Sequence, residues 1–469
     1  ISIRFENMID MVDWNCAAMY SPTWKDALTK SDTLVRAPPS IQLENASGER
    51  TLIDLHVSDT RLMCIGSAWG TVVQEWVPEA SQAMFGYLEA FQYPEAIRSR
   101  TNAGYDSDVA ACFDGSGEPD SVCLKALAEE SCYNPFIMGR IAGQQITEFG
   151  RRDGWNMYGD LNSDGSTNSF NGRRFTDPTK YQPSYNPSDA ELKTRWSPLL
   201  EDNGAGYFTR QEHVVPHIGS LAKPRLLSRE EIDSRTVPAP EYNYTSEAML
   251  VASRMANLSD EKKMLIEFFD DKIAVVFALA SAIVMKGASF EHILNFLLGF
   301  TAASYDSIIL AWKEKISHDL VRPTTWIQDQ MADVEFETWV RGQGVQTIKG
   351  KEFESFIRVM PHAEHVSGSG CIFQSMYELV DSWLANNLGI TNSMSVTLGL
   401  FPAGSSKTEP GITPAVDMTL TVSNLLELCD LGGQSRLDGG MHFTDSIEAA
   451  HGLCEGVGHA AAQYTFDIW

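Results

Sequence analysis

The chain of 469 residues carries 36 Lys and Arg against 62 Asp and Glu, a net charge of −26. So acidic a surface excludes nucleic acid and anionic membranes as expected partners, and it fits a salty or extracellular setting where screening relieves self-repulsion. Hydrophobic residues make up 43% of the chain, which excludes disorder as the default, and the length suits about three average domains.

Helical periodicity dominates the elements read in chain order. Residues 67–91 form one amphipathic stretch and 124–151 another, interrupted at Asn134-Pro135. Residues 151–244 are dense in Gly, Pro, Asn, Asp and aromatics, with no long apolar period, and read as extended loops. Helices are predicted over 246–257, 261–286 and 290–315, with Pro323 closing the last. Further helices are predicted over 367–385, 418–428 and 445–466, and 395–400 reads as a short strand. The longest apolar run, 273–285, is too short to span a bilayer and reads as a buried helix.

These elements predict an all-α fold of helix bundles, two four-helix-like cores decorated by long irregular loops. Residues 1–245 are expected to form a helical, loop-rich part and 246–469 a C-terminal bundle. None of the eight cysteines forms a CxxC pair, which argues against zinc or redox motifs. Cys112, Cys123 and Cys132 lie in a Gly/Asp/Ser-rich loop suited to a disulfide clip. Sequons stand at Asn45, Asn243 and Asn257. The chain begins at Ile1 with no signal stretch in view, so a processed or trimmed form is expected; a secreted or cell-wall location is expected, with weak support from the sequons.

Three segments supply donors for one oxyanion. Lys315 and Arg322-Pro323 give two cations, one compact and one suited to bidentate contact. Ser367-Gly368 precede an apolar helical run, where backbone N–H groups and the positive helix end favour an anion. Arg436 and His442 flank Gly439-Gly440, a turn that brings both to one point, with Ser435 beside them. Singly these are a solvated helix pair, a cap and a lone histidine. The ordered set is far more specific.

The pattern resembles the vanadium-dependent haloperoxidases, which share a fold and anion site with type-2 phosphatidic acid phosphatases and bacterial acid phosphatases. The family reads K-x6-R-P, P-S-G-H and S-R-x5-H, and Lys315/Arg322/Pro323 and Ser435/Arg436/His442 match the outer two elements. RRDGWNMYGD at 151–160 and the stretch from Trp196 to Gly219 resemble the bacterial and algal haloperoxidases rather than the phosphatases. The resemblance implies vanadate as cofactor, with His442 as the vanadium ligand. Lys315, Arg322 and Arg436 would neutralise the oxygens, and Ser367 and Gly368 would donate to them. Trp312 would stand beside the anion, and His362 falls where brominating members carry histidine. Asp270 or Asp271 would pair with Arg436. Hydrogen peroxide, a halide and an organic acceptor would be the partners, and a homodimer the assembly.

Two positions depart from the family. Val366 replaces its proline and Ser369 its acid-base histidine. Serine is a poor general base near neutral pH, so iodide or bromide oxidation is expected over chloride, with His362 or His365 as possible substitutes. The alternatives are a phosphatase using His442 as nucleophile, which lacks its leaving-group acid, and an inactive oxyanion-binding relative. Asp160, Asn162 and Asp164 resemble the start of a calcium loop, but Asn171 stands where its last ligand, usually Glu, is expected, and a polar turn is the better reading.

Overall fold

The structure, a computed structural model, describes residues 2–21, 23–28, 34–38, 40–44, 50–54, 58–76, 105–113, 118–131, 133–164, 166, 173–202, 206–390 and 394–469. The sequon at Asn45, the second half of the 67–91 stretch, Cys132 and Asn171 lie outside them. The fold is all-α, with helix bundles accompanied by four two-stranded antiparallel hairpins among the described residues.

The chain divides into two compact units. One holds Ile1–Met157, Phe290–Thr301 and Gln463–Trp469, the other Tyr158–Ser289 and Ala302–Ala462. The loop-rich 158–244 thus belongs with the C-terminal helices, a different division from the one at 245 read from composition. One of its anchors is Asp306 of helix Phe290–His318, which accepts the backbone N–H groups of Arg225, Leu226 and Leu227 at 2.6, 2.8 and 2.9 Å.

In the first unit, helix Pro135–Arg151 lies against helix Ser58–Trp76. A Cβ at Gly139 would sit 2.2 Å from the Cys64 carbonyl oxygen, and one at Gly143 2.7 Å from that of Ala68. Both glycines are there because the two backbones touch. Helix Ser2–Met19 joins them through the Cys16–Cys64 disulfide. Arg4 is fully buried, paired with Asp153 and stacked 4.0 Å over Trp76.

In the second unit, the predicted helix over 261–286 is two helices, Asp260–Asp270 and Lys272–Met285. Asp271 breaks the run because its side chain accepts the Ala274 N–H at 3.1 Å and starts a new helix. The long helix Phe290–His318 ends at His318, and Asp319 turns left-handed at φ 51. Among the described residues it is the one helix long and apolar enough to cross a membrane, yet 89% of its apolar window is buried. Pro323 does not close this helix. It opens the next, Pro323–Gln330, at a position where its missing N–H costs nothing. The predicted helix over 418–428 is also corrected: Met418–Val422 is a strand paired with Val396–Phe401, and the helix follows at Leu425–Asp438. The β-branched Thr419, Thr421 and Val422 favour the pleated surface.

Helix Gly368–Leu388 is the centre of this unit. Gly432 of helix Leu425–Asp438 meets it face on, since a Cβ there would fall 2.5 Å from Phe373. On the other side Gly370 faces Ala450 of helix Thr444–Cys454, and Cys371 is bonded to Cys454. Glu378 accepts the N–H groups of Gly456 and Gly458 at 2.9 and 3.0 Å, holding the start of helix Val457–Ile468. A core of Val251, Ile266, Trp326, Trp339, Phe353, Met441 and Phe443 closes beneath.

The Cys371–Cys454 bridge spans a sequence separation of 83 residues. Replacing both cysteines by alanine is predicted to lower unfolding stability by about 2–5 kcal/mol. Urea denaturation monitored by circular dichroism measures this, and an unmoved midpoint contradicts it.

Candidate active site

Lys315, Arg322, Ser367, Gly368, Arg436 and His442 are all buried in the second unit. Lys315 and Trp312 stand three residues apart on the long helix, on neighbouring positions of one face. Arg322 is not on that helix but at the N-cap of the next one. The chain between them turns back so that both cations reach the segment 362–364. Lys315 Nζ donates to the carbonyls of Ala363 and Glu364 at 2.7 and 2.9 Å. Arg322 donates to the carbonyls of His362 and Met441 at 2.9 and 2.8 Å, and its Nη1 lies 3.2 Å from His442 Nε2.

Arg436 pairs with Asp270 at 2.9 Å, which selects Asp270 over Asp271. Its Nε is buried without a partner among the described residues. Ser435 takes no part, because its hydroxyl turns back to the Gly432 carbonyl at 2.7 Å. Ser367 caps helix Gly368–Leu388, its Oγ accepting the Gly370 N–H at 3.1 Å, so its own proton is free to donate elsewhere. The next two amides, of Gly368 and Ser369, have no backbone partner among the described residues. A Cβ at Gly368 would lie 3.3 Å from Trp312, so glycine keeps that amide close to the indole.

Glu364 was not singled out in the sequence. It is fully buried, and its Oε1 stands 2.8 Å from His442 Nδ1 while accepting the Phe443 N–H at 3.1 Å. A carboxylate at that distance fixes the proton on Nδ1 and leaves the Nε2 lone pair directed at Arg322 and the cation cluster. Glu364 lies three residues before Ser367 on an irregular segment, where no periodicity flags it. Burial pushes its carboxyl up to about 7, against the pull of Arg322 and Lys315. Burial, then Arg322, holds the Lys315 ammonium far below its ordinary value, and burial with the three cations keeps His442 neutral.

The two substitute histidines separate. His362 joins the cluster: its ring lies 4.6 Å from Trp312, and its Nδ1 accepts from Arg322 Nη2 at 2.9 Å. Guanidinium only donates, so the neutral ring carries its proton on Nε2. His365 instead packs edge-on to His318 at 5.1 Å, with both ring nitrogens buried and unpartnered among the described residues. The Ser369 hydroxyl makes no hydrogen bond among the described residues.

The calcium reading is withdrawn. Among the described residues no three His, Cys, Asp or Glu gather to hold a metal ion. Asp164 instead accepts from Ser166 N and Oγ at 3.0 and 2.6 Å, and Asn162 donates to the same hydroxyl at 2.9 Å. Their side chains close a polar turn, leaving no convergent oxygen set with Asp160.

Three buried cations face one buried, raised carboxyl and one half-exposed aspartate, with a helix N-terminus beside them. That excess positive charge fits a bound oxyanion. Residues 295–469 match the family described as "VCPO second helical-bundle domain". The solved structure described as an apo-type bacterial vanadium-dependent chloroperoxidase is similar at TM-score 0.78 and 19% identity, over 100% of this chain and 93% of that one. The chain shares the fold of that chloroperoxidase. The holo-type form of such a chloroperoxidase matches at TM-score 0.76 and 20% identity, over 99% and 91%. A bacterial vanadium-dependent iodoperoxidase matches at TM-score 0.56 and 14% identity, over 98% and 90%. No curated protein sequence matches this chain.

Glu364→Ala is expected to weaken vanadate binding about 10–100-fold, the usual effect of losing an outer partner of a ligating histidine. Glu364→Gln, which keeps an acceptor for Nδ1–H, is expected to lose less; calorimetric titration compares them, and equal losses contradict the orienting role. Burial lowers the His213 and His365 pKa values from 6.5 to about 3. The unfolded chain therefore takes up protons first, and stability falls as pH drops from about 6.5 towards 3. Glu364, raised from 4.5, opposes this only above about 4.5. Melting temperatures across this range should fall less steeply for His365→Phe than for the native chain, and parallel slopes contradict the assignment.

Proposed function

We propose that this chain is a vanadate-dependent peroxidase that oxidises iodide or bromide with hydrogen peroxide, giving a hypohalous acid that halogenates organic acceptors. The observation that carries the reading is the Glu364–His442 pair aimed into three buried cations. His442 Nε2 is the candidate vanadium ligand, and Lys315, Arg322 and Arg436 the candidates to neutralise vanadate oxygens. Ser367 Oγ, whose proton is not used in its cap, and the unpaired Gly368 amide are the candidates to donate to those oxygens. When bound, vanadate supplies a Lewis acid that activates peroxide towards a halide.

The chain's own groups set the remaining chemistry. Trp312 and His362 cover one side of Lys315 and limit water. His362, with its proton held on Nε2 by Arg322, is the group proposed to exchange protons where the family's histidine is replaced by Ser369. Ser369 itself can hydrogen-bond but is a poor base near neutral pH. A weaker acid-base set suits the more easily oxidised halides, which favours iodide and bromide. A second reading is chloride oxidation, favoured by the greater similarity to the chloroperoxidase than to the iodoperoxidase fold.

Phosphate-ester hydrolysis is less well supported. His442 as nucleophile would need an acid on the opposite side, and Ser369 cannot serve as one. A secreted location is proposed on three disulfides among the described residues, Cys16–Cys64, Cys112–Cys123 and Cys371–Cys454. The exposed apolar stripe of Ile273, Phe277, Val284 and Met285 supports the expected homodimer.

Vanadate-loaded protein with peroxide is expected to form triiodide from iodide, and His442→Ala to reduce this to background. Ser369→His is expected to raise bromide oxidation relative to iodide, within the roughly 10²–10⁴-fold range of one proton-transfer group. No halide oxidation alongside hydrolysis of p-nitrophenyl phosphate would reverse the assignment. A bromide-to-iodide ratio unmoved by Ser369→His would show that this serine does not face the reacting oxygens.

A further inference from the structure

A cavity of about 650 Å³ lies in the second unit, lined among others by Phe175, Lys180, Tyr181, Arg210, His213 and Val215. It stands one residue from the cation cluster. The Ala363 N–H donates to His213 Nε2 at 3.2 Å, and the Ala363 carbonyl accepts from Lys315 at 2.7 Å. His213 is held edge-on by Tyr181 and Trp196, each at 5.1 Å. Tyr181 in turn donates to Asp319 at 2.6 Å, so its ring is fixed.

Two independent features point to a ligand. Phe175, Lys180 and Val215 all take left-handed backbone conformations, at φ 57, 59 and 38. These conformations are unfavourable for such side chains, most of all for the β-branched valine, and such strain gathers at binding sites. The second feature is charge. In a chain of net charge −26, this cavity carries three cations against two committed carboxylates. Glu212 pairs with Arg173 at 2.5 Å. Asp177 accepts from Thr179 N and Tyr181 N at 2.9 and 2.7 Å. Lys180 and Arg210 have no acidic partner among the described residues. A larger neighbouring cavity of about 900 Å³ has the opposite excess, with Arg341 and Arg358 against Glu201, Asp329 and Glu354, and its Arg358 pairs with Glu201.

We propose that this cavity binds the acceptor for the hypohalous acid, an aromatic carboxylate of one or two rings bearing a ring hydroxyl. The acceptor role rests on the peroxidase reading above. Lys180 and Arg210 take the carboxylate, and Phe175, Tyr181 and Val215 take the ring. The ring hydroxyl is required because electrophilic halogenation needs an electron-rich carbon. In that step the halogen–oxygen bond of the hypohalous acid breaks and a carbon–halogen bond forms. The ring proton leaves with the oxygen as water.

The test is calorimetric titration of the full chain with 4-hydroxybenzoate and with its neutral analogue 4-hydroxybenzamide, beside triiodide formation measured without acceptor. The carboxylate is expected to bind about ten-fold more tightly, the scale of one charge-assisted contact. Lys180→Glu combined with Arg210→Glu should remove that preference while leaving triiodide formation unchanged. Absence of binding, equal binding of the two probes, or a preference that survives the double variant overturns the proposal. If the binding pattern holds but the native protein forms no triiodide, the cavity stands as an aromatic carboxylate site and the peroxidase reading fails.

Discussion

The structure depends on the burial of Lys315, Arg322 and Arg436 in one place. Each is no more than 2% exposed, and removing an ion from water costs on the order of several kcal/mol. The protein offsets part of this with carbonyls of Ala363, Glu364, His362 and Met441, and with Asp270 at the edge. Glu364 sits among the cations but is also turned to His442. Each further close contact between opposite charges is worth about 4 kcal/mol at an effective dielectric near 20. A multiply charged oxyanion makes several such contacts at once, which accounts for a cluster that its own carboxylates leave under-neutralised.

The surrounding fold holds that cluster rigid. The chain turns at Asp319 and restarts at Pro323, which delivers Arg322 to the same segment that Lys315 reaches from the long helix. Helix Gly368–Leu388 is fixed by close glycine contacts on one side and a disulfide on the other, so its N-terminal amides stay where Ser367 starts them. The Arg436 side chain comes from the last turn of a helix and His442 from the turn beyond it, through Gly439 and Gly440. Gly440 has φ 76, a conformation suited to glycine, and the tight return brings His442 back to Glu364.

Much of this was legible in the sequence because charge spacing and helical period are local signals. The all-α fold and most helices follow from them, while Lys315, Arg322, Arg436 and His442 are marked as one set by the resemblance of their spacings to a known family pattern. Other features required tertiary information. Asp271 and Pro323 act through caps, so a continuous apolar period conceals the break at the first, and the second opens a helix where a proline more often ends one. The 418–422 strand exists because it pairs with 396–401, which no local pattern declares. Glu364 was missed because its partner is 78 residues away on another element. His362 and His365 look equivalent in sequence, yet the turn of the segment sends one to Arg322 and the other to His318.

The central claim is that His442 Nε2 and the three cations share one oxyanion. The most direct measurement is a crystal structure of the native chain soaked in vanadate. The account predicts vanadium bonded to His442 Nε2, with Lys315, Arg322 and Arg436 around its oxygens and the Glu364–His442 contact retained. Vanadate bound elsewhere, or a His442 Nε2 still facing Arg322 alone at saturating vanadate, would contradict it.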